Sequence, residues 1–209
     1  MGAPAPTASR RRPAEVRQLL LDAAAAEFAR HGYVDAKMRT IASEADVAMS
    51  AMYRHFPTKS ELFREAVLLP FLAFIGEFGA TWRQQLNQPW EAERLMRAMI
   101  EYLYDNLTAH RKALTSLVAA SGQPDLDVMA DLRAAMTQMF SELQLIGEHE
   151  AAVRGWFSPS VVPPATRLAV ALTIGMVIAE PWLTEDGVGW DGLVGDMANF
   201  CLYGIKLGP

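Results

Sequence analysis

The sequence predicts an all-α protein: a three-helix, helix-turn-helix unit at the N-terminal end, followed by a larger helical body. Three observations carry that expectation. Apolar residues recur at three- and four-residue spacing along most of the 209 positions, the period of helices with one buried face. The composition is 51% hydrophobic with Ala, Leu and Met prominent, the usage of an α-helical globular protein. No stretch shows the strict alternation of a half-buried strand.

Taken in order, residues 1–12 lack apolar periodicity and end in Arg10, Arg11 and Arg12, so they read as a disordered basic arm. From Pro13 to Arg30, Val16, Leu19, Leu20, Ala23, Ala24 and Phe28 mark one buried helical face. His31-Gly32-Tyr33 stops that helix, with Gly32 suited to a left-handed position. A short helix from Lys37 to Ala45 follows, with Met38, Ile41, Ala42 and Ala45 on one face. Asp46-Val47 breaks it, and a third helix covers Ala48 to Phe56. Pro57 ends the third helix, because its ring disfavours helical geometry at the residue before it. Thr58-Lys59-Ser60-Glu61 has the spacing of a capping box, so a fourth helix begins there. Asp46 occupies a turn position that wants a positive φ, and small Ala42 lets the third helix cross closely over the second.

The body reads as helices alone. Leu62 to Leu86 carries Phe71, Phe74, Ile75, Phe78 and Trp82 on a stripe, with a kink expected at Pro70. Further helices are expected over Pro89 to His110, Arg111 to Ala120, Pro124 to Arg154, Ala165 to Leu183 and Trp190 to Leu207. Gly155 to Pro164 reads as a loop, and Glu185-Asp186-Gly187-Val188-Gly189 as a turn. The resulting division is a basic arm over 1–12, a helix-turn-helix unit over 13–58 and a helical body over 59–209.

Charge and cysteine content narrow the setting. The net charge of −5 divides unevenly: residues 1–64 carry +3 and residues 65–209 carry −8. A basic head on an acidic body concentrates attraction for phosphate at one end and disfavours non-specific wrapping. One cysteine, Cys201, rules out an internal disulfide and fits a cytoplasmic setting. The uncharged run between Arg167 and Glu180 is shorter than the ~20 residues a hydrocarbon core requires, and no apolar signal core marks the chain for export, so no membrane association is expected.

The stretch IASEADVAMSAMYRHFPTKSELFREAV, residues 41–67, resembles the signature of the tetracycline-repressor (TetR) family of transcriptional regulators. An Ile-Ala pair, a turn ending in Val, a Tyr-x-x-Phe and a Lys-x-x-Leu stand in register, and the likeness extends back through LLDAAAAEFARHGY to cover residues 14–67. The resemblance implies a homodimer that binds a two-fold operator in double-stranded DNA, as a repressor released by a small-molecule effector held in the body. It also implies roles for particular residues. Tyr53 and Lys59 match phosphate contacts, Arg39 matches a position that reaches base edges, and Ser50 matches a position lying against DNA. Lys37, Thr40, Arg54, His55 and Thr58 are expected at the rim of the contact. Met49 and Ala51 stand where a recognition helix ordinarily carries polar groups, so base reading is expected to lean on Arg39 together with apolar contact to thymine methyls. Ala36, Lys37, Asp46, Ala48 and Met49 depart from the family pattern.

In the body, Phe71, Phe74, Phe78 and Trp82 on one helix, Met96, Met99, Tyr102 and Leu103 on the next, and Met129, Met136, Met139 and Phe140 on the long one offer large, deformable apolar surface. The family resemblance makes these the walls of a cavity for a mainly apolar or aromatic ligand, with Arg133 a candidate anchor for an anionic or carbonyl group. Taken singly, most are ordinary core residues, and Arg133 fits a snorkelling arginine better than an anchor. The helix from Ala165 is apolar on nearly every side, with Ala171, Gly175 and Ala179 as a small-residue seam. Leu168, Leu172, Gly175, Met176 and Ala179, with Leu193, Met197, Phe200, Cys201 and Ile205 of the last helix, are expected to form a four-helix dimer interface. Glu148-His149-Glu150 lacks a second ligand at helical spacing and Ser121-Gly122 lacks the flanks of a nucleophile elbow, so no catalytic, metal or cofactor site is expected. The competing reading is a helical small-molecule-binding protein whose DNA reading has degenerated.

Overall fold

The computed structural model describes residues 12–85, 91–123, 128–155, 160, 162–183 and 190–206. Every regular element among them is helical, as the sequence predicts. In chain order these are α1 (Pro13–Asp35), α2 (Met38–Glu44), α3 (Met49–His55), α4 (Lys59–Phe63), a π turn (Arg64–Leu68), α5 (Leu69–Gln85), α6 (Ala92–Ala109), α7 (Arg111–Ala120), α8 (Val128–Arg154), α9 (Val162–Leu183) and α10 (Trp190–Lys206). The arm over residues 1–11, Pro89 and the turn Glu185 to Gly189 lie outside the described residues.

Local chemistry explains the boundaries. Pro13 opens α1, and Pro163 and Pro164 fall in the first turn of α9, where a missing N–H costs no helical bond. That tolerance lets α9 start at Val162, three residues before the expected Ala165. Regular α geometry in α1 is interrupted at Gly32, whose φ of 69° and ψ of 177° turn the chain. Gly32 therefore takes the positive φ expected of it, with an extended ψ in place of the left-handed helical one. Asp46 has φ 52°, the positive angle anticipated for the turn between α2 and α3. Thr58 accepts the Glu61 amide at 3.1 Å, which caps α4.

From Lys59 to Gln85 the chain is helical throughout, and it adapts to Pro70 by a π turn where a kink was expected. Pro70 has no N–H to offer the Ala66 carbonyl, and the preceding amide, that of Leu69, reaches five residues back to Arg64. Gly79 lies where an added Cβ would collide with Glu142, so α8 passes directly over α5 at that point.

A single core runs from the head into the body. Leu20, Phe28, Ile41, Met52 and Phe56 of the first three helices join Leu62, Phe63, Leu68, Phe78, Leu103 and Leu117 beyond them. Helix α7 lies against α1, and the buried Ser116 hydroxyl donates to the Phe28 carbonyl at 3.2 Å. A smaller cluster of Ile100, Ala169, Val194, Met197, Ala198 and Cys201 joins α6, α9 and α10.

Helix α9 extends beyond the uncharged run between Arg167 and Glu180. Val162–Trp182 has a mean hydropathy of 1.6, and by length and composition it is long and apolar enough to cross a membrane. Of that stretch, 28% is buried within the chain.

Replacing Gly32 with Ala is expected to lower stability by about 1–3 kcal/mol, because an added Cβ meets no neighbour and the cost is purely that of the positive φ. Chemical unfolding of the two proteins measures it; equal midpoints and slopes would contradict the strain.

Candidate functional site

The head is built so that α1 fixes α2, and α2 fixes α3. Glu27 is buried, and its Oε1 accepts the Lys37 amide at 3.3 Å, placing a carboxylate at the N-terminal end of α2. Arg30 grips Glu44 through both carboxylate oxygens at 2.6 and 2.7 Å, and that bond holds its pKa above the usual arginine value. Met52 and Phe56 are fully buried, while Val47 packs against the same core from a half-exposed position. Buried Ala42 presents its carbonyl to the Val47 amide at 2.9 Å, closing the turn.

Against this frame, Lys37, Arg39, Ser50, Tyr53, Arg54 and Thr58 are exposed, and Thr40, Ala51 and His55 are half-buried. Tyr53 is 50% exposed although it follows the fully buried Met52, which leaves its hydroxyl free for an outside acceptor. The cations divide into two kinds. Arg12 pairs with Glu15 at 2.9 Å, Arg30 with Glu44, and Arg17 with Glu65 while lying 5.1 Å over the Phe56 ring. Lys37, Arg39 and Arg54 have no ion-pair partner among the described residues, and all three stand on α2 or α3 or immediately before them. A groove of about 800 Å³ runs between the start of α1 and α3, lined by Arg12, Val16, Val47, Ala51, Arg54 and His55 among others.

Two residues differ from the expected picture. Lys59 is not an unencumbered cation at the start of α4: its Nζ donates to the Val34 carbonyl at 2.9 Å and lies 4.9 Å over the Tyr33 ring. Its ammonium therefore bonds α4 to the end of α1. Met49 is half-buried and packs on the core, so only part of its side chain faces outward.

In the body, Phe71, Phe78, Trp82 and Leu103 are almost fully buried, and Phe74 is 9% exposed. Met99, Tyr102, Met136 and Phe140 pack on that core while remaining partly open. Two ring pairs join α5 to α6 and its C-terminal cap: Phe78 lies 5.5 Å from Tyr102, and Phe74 stacks on His110 at 4.8 Å with the planes 16° apart. The sequence reading passed over Asn106 and His110. Their signal was the spacing of four and eight residues from Tyr102, which puts all three on one helical line. Arg133 is exposed on α8, so it does not reach into these aromatic walls; the nearby cation–ring contact is Arg167 of α9, 5.2 Å over Phe140. The side chain of Met129 lies outside the described residues.

The expected subunit surface divides likewise. Leu168 and Phe200 are 39% and 55% exposed, Gly175 is exposed, and Leu172, Met176, Ala179 and Leu193 are half-buried. Met197 and Cys201 are buried in their own chain, since α10 turns them onto α6, and they leave no surface to offer a second copy. Trp182, 76% exposed, and Tyr203, 43% exposed, extend the same apolar face. The side chain of Ile205 lies outside the described residues. Glu148, His149 and Glu150 are half-buried, exposed and buried respectively, so the three side chains diverge.

The family model described as bacterial regulatory proteins, tetR family, matches residues 20–66. The HTH-type transcriptional repressor KstR of Mycobacterium tuberculosis is 36% identical over 91 residues, 41% of this chain and 40% of that protein. KstR of Rhodococcus jostii is 40% identical over 57 residues, 27% of each. The chain thus spans between about a quarter and two fifths of the length of these curated relatives. Among solved structures, the transcriptional regulator FadR of Bacillus subtilis, described in complex with stearoyl-CoA, superposes with a TM-score of 0.66 at 16% identity, covering 90% of this chain and 98% of that one. The fatty acid degradation regulator FadR of Bacillus halodurans gives 0.63 at 19%, covering 93% and 97%. These likenesses establish the fold.

Replacing Lys59 with Met removes a hydrogen bond and a cation–ring contact from the α1–α4 junction. Thermal unfolding should register a loss of about 1–2 kcal/mol without any DNA present; an unchanged melting curve would return Lys59 to a purely external role.

Proposed function

We propose that the chain, whose residues 20–66 match the model of the tetR family of bacterial regulatory proteins, is a DNA-binding transcriptional repressor released from a two-fold operator by a small, mainly apolar or aromatic ligand. The observation that carries the DNA-binding part is the set of unpaired, exposed cations Lys37, Arg39 and Arg54 on α2 and α3, beside the exposed phenol of Tyr53. Elsewhere in the head, Arg12, Arg17 and Arg30 are each held by a carboxylate. Cations left without counter-ions on one motif, above a body of net charge −8, suit a phosphate backbone. Arg39 is assigned to base edges, Tyr53, Ser50 and Thr58 to phosphates, and Lys37, Thr40, Arg54 and His55 to the rim, with Met49 and Ala51 offering apolar contact. Lys59 acts by setting the angle of α4, and any phosphate contact from it is secondary.

The proposed unit is a homodimer. The outer face of α9 and α10, with Leu168, Gly175, Trp182, Phe200 and Tyr203, takes a second copy of the chain. That arrangement accounts for the apolar length of α9 without placing it in a bilayer, and it fits a cytoplasmic regulator. The effector site is assigned to the partly open surface around Phe74, Phe78, Met99, Tyr102, Met136 and Phe140. Residues 1–12 add positive charge to the head as an arm, ahead of a DNA-binding unit over 13–58 and a sensing and dimerising unit over 59–209. The repressor sign rests on the KstR relatives. The stearoyl-CoA of the Bacillus subtilis FadR structure makes long acyl ligands one class to assay. A small-molecule-binding protein without DNA reading is the alternative, favoured by the inward lean of Met49 and the apolar Ala51.

Binding sites selected from random DNA should contain inverted half-sites about one helical turn apart, roughly 34 to 36 Å. Arg39→Ala is expected to weaken the selected site by about 1–3 kcal/mol and relax one base position. Arg54→Ala should instead flatten the dependence on salt by about 0.9 per lost phosphate contact. No sequence preference and no salt dependence in the parent protein would leave the alternative standing. Gly175→Arg should convert the dimer to a monomer in sedimentation and abolish cooperative binding to the full site; a dimer that survives it would move the interface elsewhere.

A further inference from the structure

A polar line lies along the aromatic wall of the body. Tyr102, Asn106 and His110 succeed one another at four-residue steps on α6 and its C-terminal cap, and all three are half-buried. Tyr102 sits against Phe78 and His110 against Phe74, so the line faces the α5 rings. Backbone contacts determine which polar atoms remain available. The Asn106 amide nitrogen donates to the Tyr102 carbonyl at 2.7 Å, which leaves its Oδ1 as an acceptor. His110 Nδ1 lies 2.8 Å from the Asn106 carbonyl. A carbonyl only accepts, so Nδ1 carries a proton, and the tautomer with a single ring proton presents the Nε2 lone pair. Neither Nε2, nor Oδ1, nor the Tyr102 hydroxyl is bonded to any of the described residues.

From this juxtaposition we infer that Tyr102, Asn106 and His110 form the polar subsite of the effector site, and that it selects a neutral aromatic or polycyclic ligand carrying a hydroxyl donor. Two acceptors and a phenol beside stacked rings match a planar apolar body with one O–H. They match an anion poorly, because fixed positive charge is missing from the line. Arg111, the next residue, is engaged by Glu180, which also accepts from the Tyr104 hydroxyl at 2.9 Å. Arg133 faces solvent. A carboxylate or a phosphate-bearing thioester would have to bring its charge against lone pairs. The inference rests on the effector reading above and narrows it to a ligand class.

The test titrates the full-length protein with β-naphthol, naphthalene, β-naphthoate and stearoyl-CoA at neutral pH, following tryptophan fluorescence and confirming by calorimetry. Naphthol should bind about tenfold tighter than naphthalene, the worth of one hydrogen bond in a sheltered site, and tighter than naphthoate. His110→Phe keeps a ring to stack on Phe74 but has no Nε2, and it should bring naphthol down to the affinity of naphthalene. Tyr102→Phe removes a single oxygen; it should weaken naphthol severalfold and leave naphthalene unchanged, and it serves if His110→Phe does not fold. Tighter binding of naphthoate or stearoyl-CoA, a hydroxyl preference that survives both substitutions, or no saturable binding of any probe would overturn the subsite. If naphthol binds as described but leaves operator affinity unchanged, the subsite stands and the release mechanism of the preceding subsection fails.

Discussion

The junction of α1 with α4 is the constraint on which the remaining geometry depends. Phe63 meets Phe28 edge-on at 4.9 Å and Tyr33 at 5.2 Å, and Phe28 and Tyr33 stack on each other at 6.1 Å. All three rings are nearly or fully buried, so each contributes about 1.5–3 kcal/mol of apolar burial before ring geometry is considered. The surface ion pairs nearby, such as Arg30 with Glu44, are solvent-screened and act mainly as locators. Because Phe63 belongs to the same continuous helical run as α5, this cluster sets the direction in which the body leaves the head. The positive φ of Gly32 makes the cluster possible by returning Tyr33 to face Phe63.

Two links connect that junction to the rest of the body. The Ser116 hydroxyl ties the middle of α7 to the Phe28 carbonyl inside the core, and α7 begins with Arg111, paired with Glu180 of α9. A short helix held at its middle and at its start therefore joins the head to the helix that carries the apolar outer face. His110, at the hinge between α6 and α7, stacks on Phe74. A ligand that displaced that ring would press on α7 and on α5 together. Under the proposed function such a ligand would change DNA affinity only by as much as it prefers one arrangement of the heads over the other.

Local signals in the sequence resolved most of the fold. The Thr58 cap, the turn at Asp46, the stop at Gly32 and the full extent of α7 were each readable from a few neighbouring residues, because each depends on backbone geometry or a hydrogen bond within four positions. The buried identities of Phe28, Met52 and Phe56 followed from helical period. At the candidate site, the exposed positions of Arg39, Tyr53 and Arg54 were legible from register. The engagement of Lys59 by Val34 was not, since the two are 25 residues apart and only the return of the chain brings them together. Arg133 and Met197 show the same limit: period places a residue on a stripe, but the neighbouring helix decides whether that stripe faces ligand, solvent or the chain's own interior.

The sequence by itself therefore determined an all-helical chain, its helix-turn-helix head with its likeness to the tetR family over residues 20–66, and the uneven distribution of charge between head and body, because propensity, capping and periodicity act over one or two turns. Tertiary structure alone decided which cations are left unpaired, that a π turn precedes Pro70, and that Tyr102, Asn106 and His110 line the aromatic wall with the Tyr102 hydroxyl, Asn106 Oδ1 and His110 Nε2 unbonded among the described residues. Those outcomes depend on which helices approach one another and at what angle. That choice is made by the summed burial of many side chains, and no single stretch of sequence encodes it.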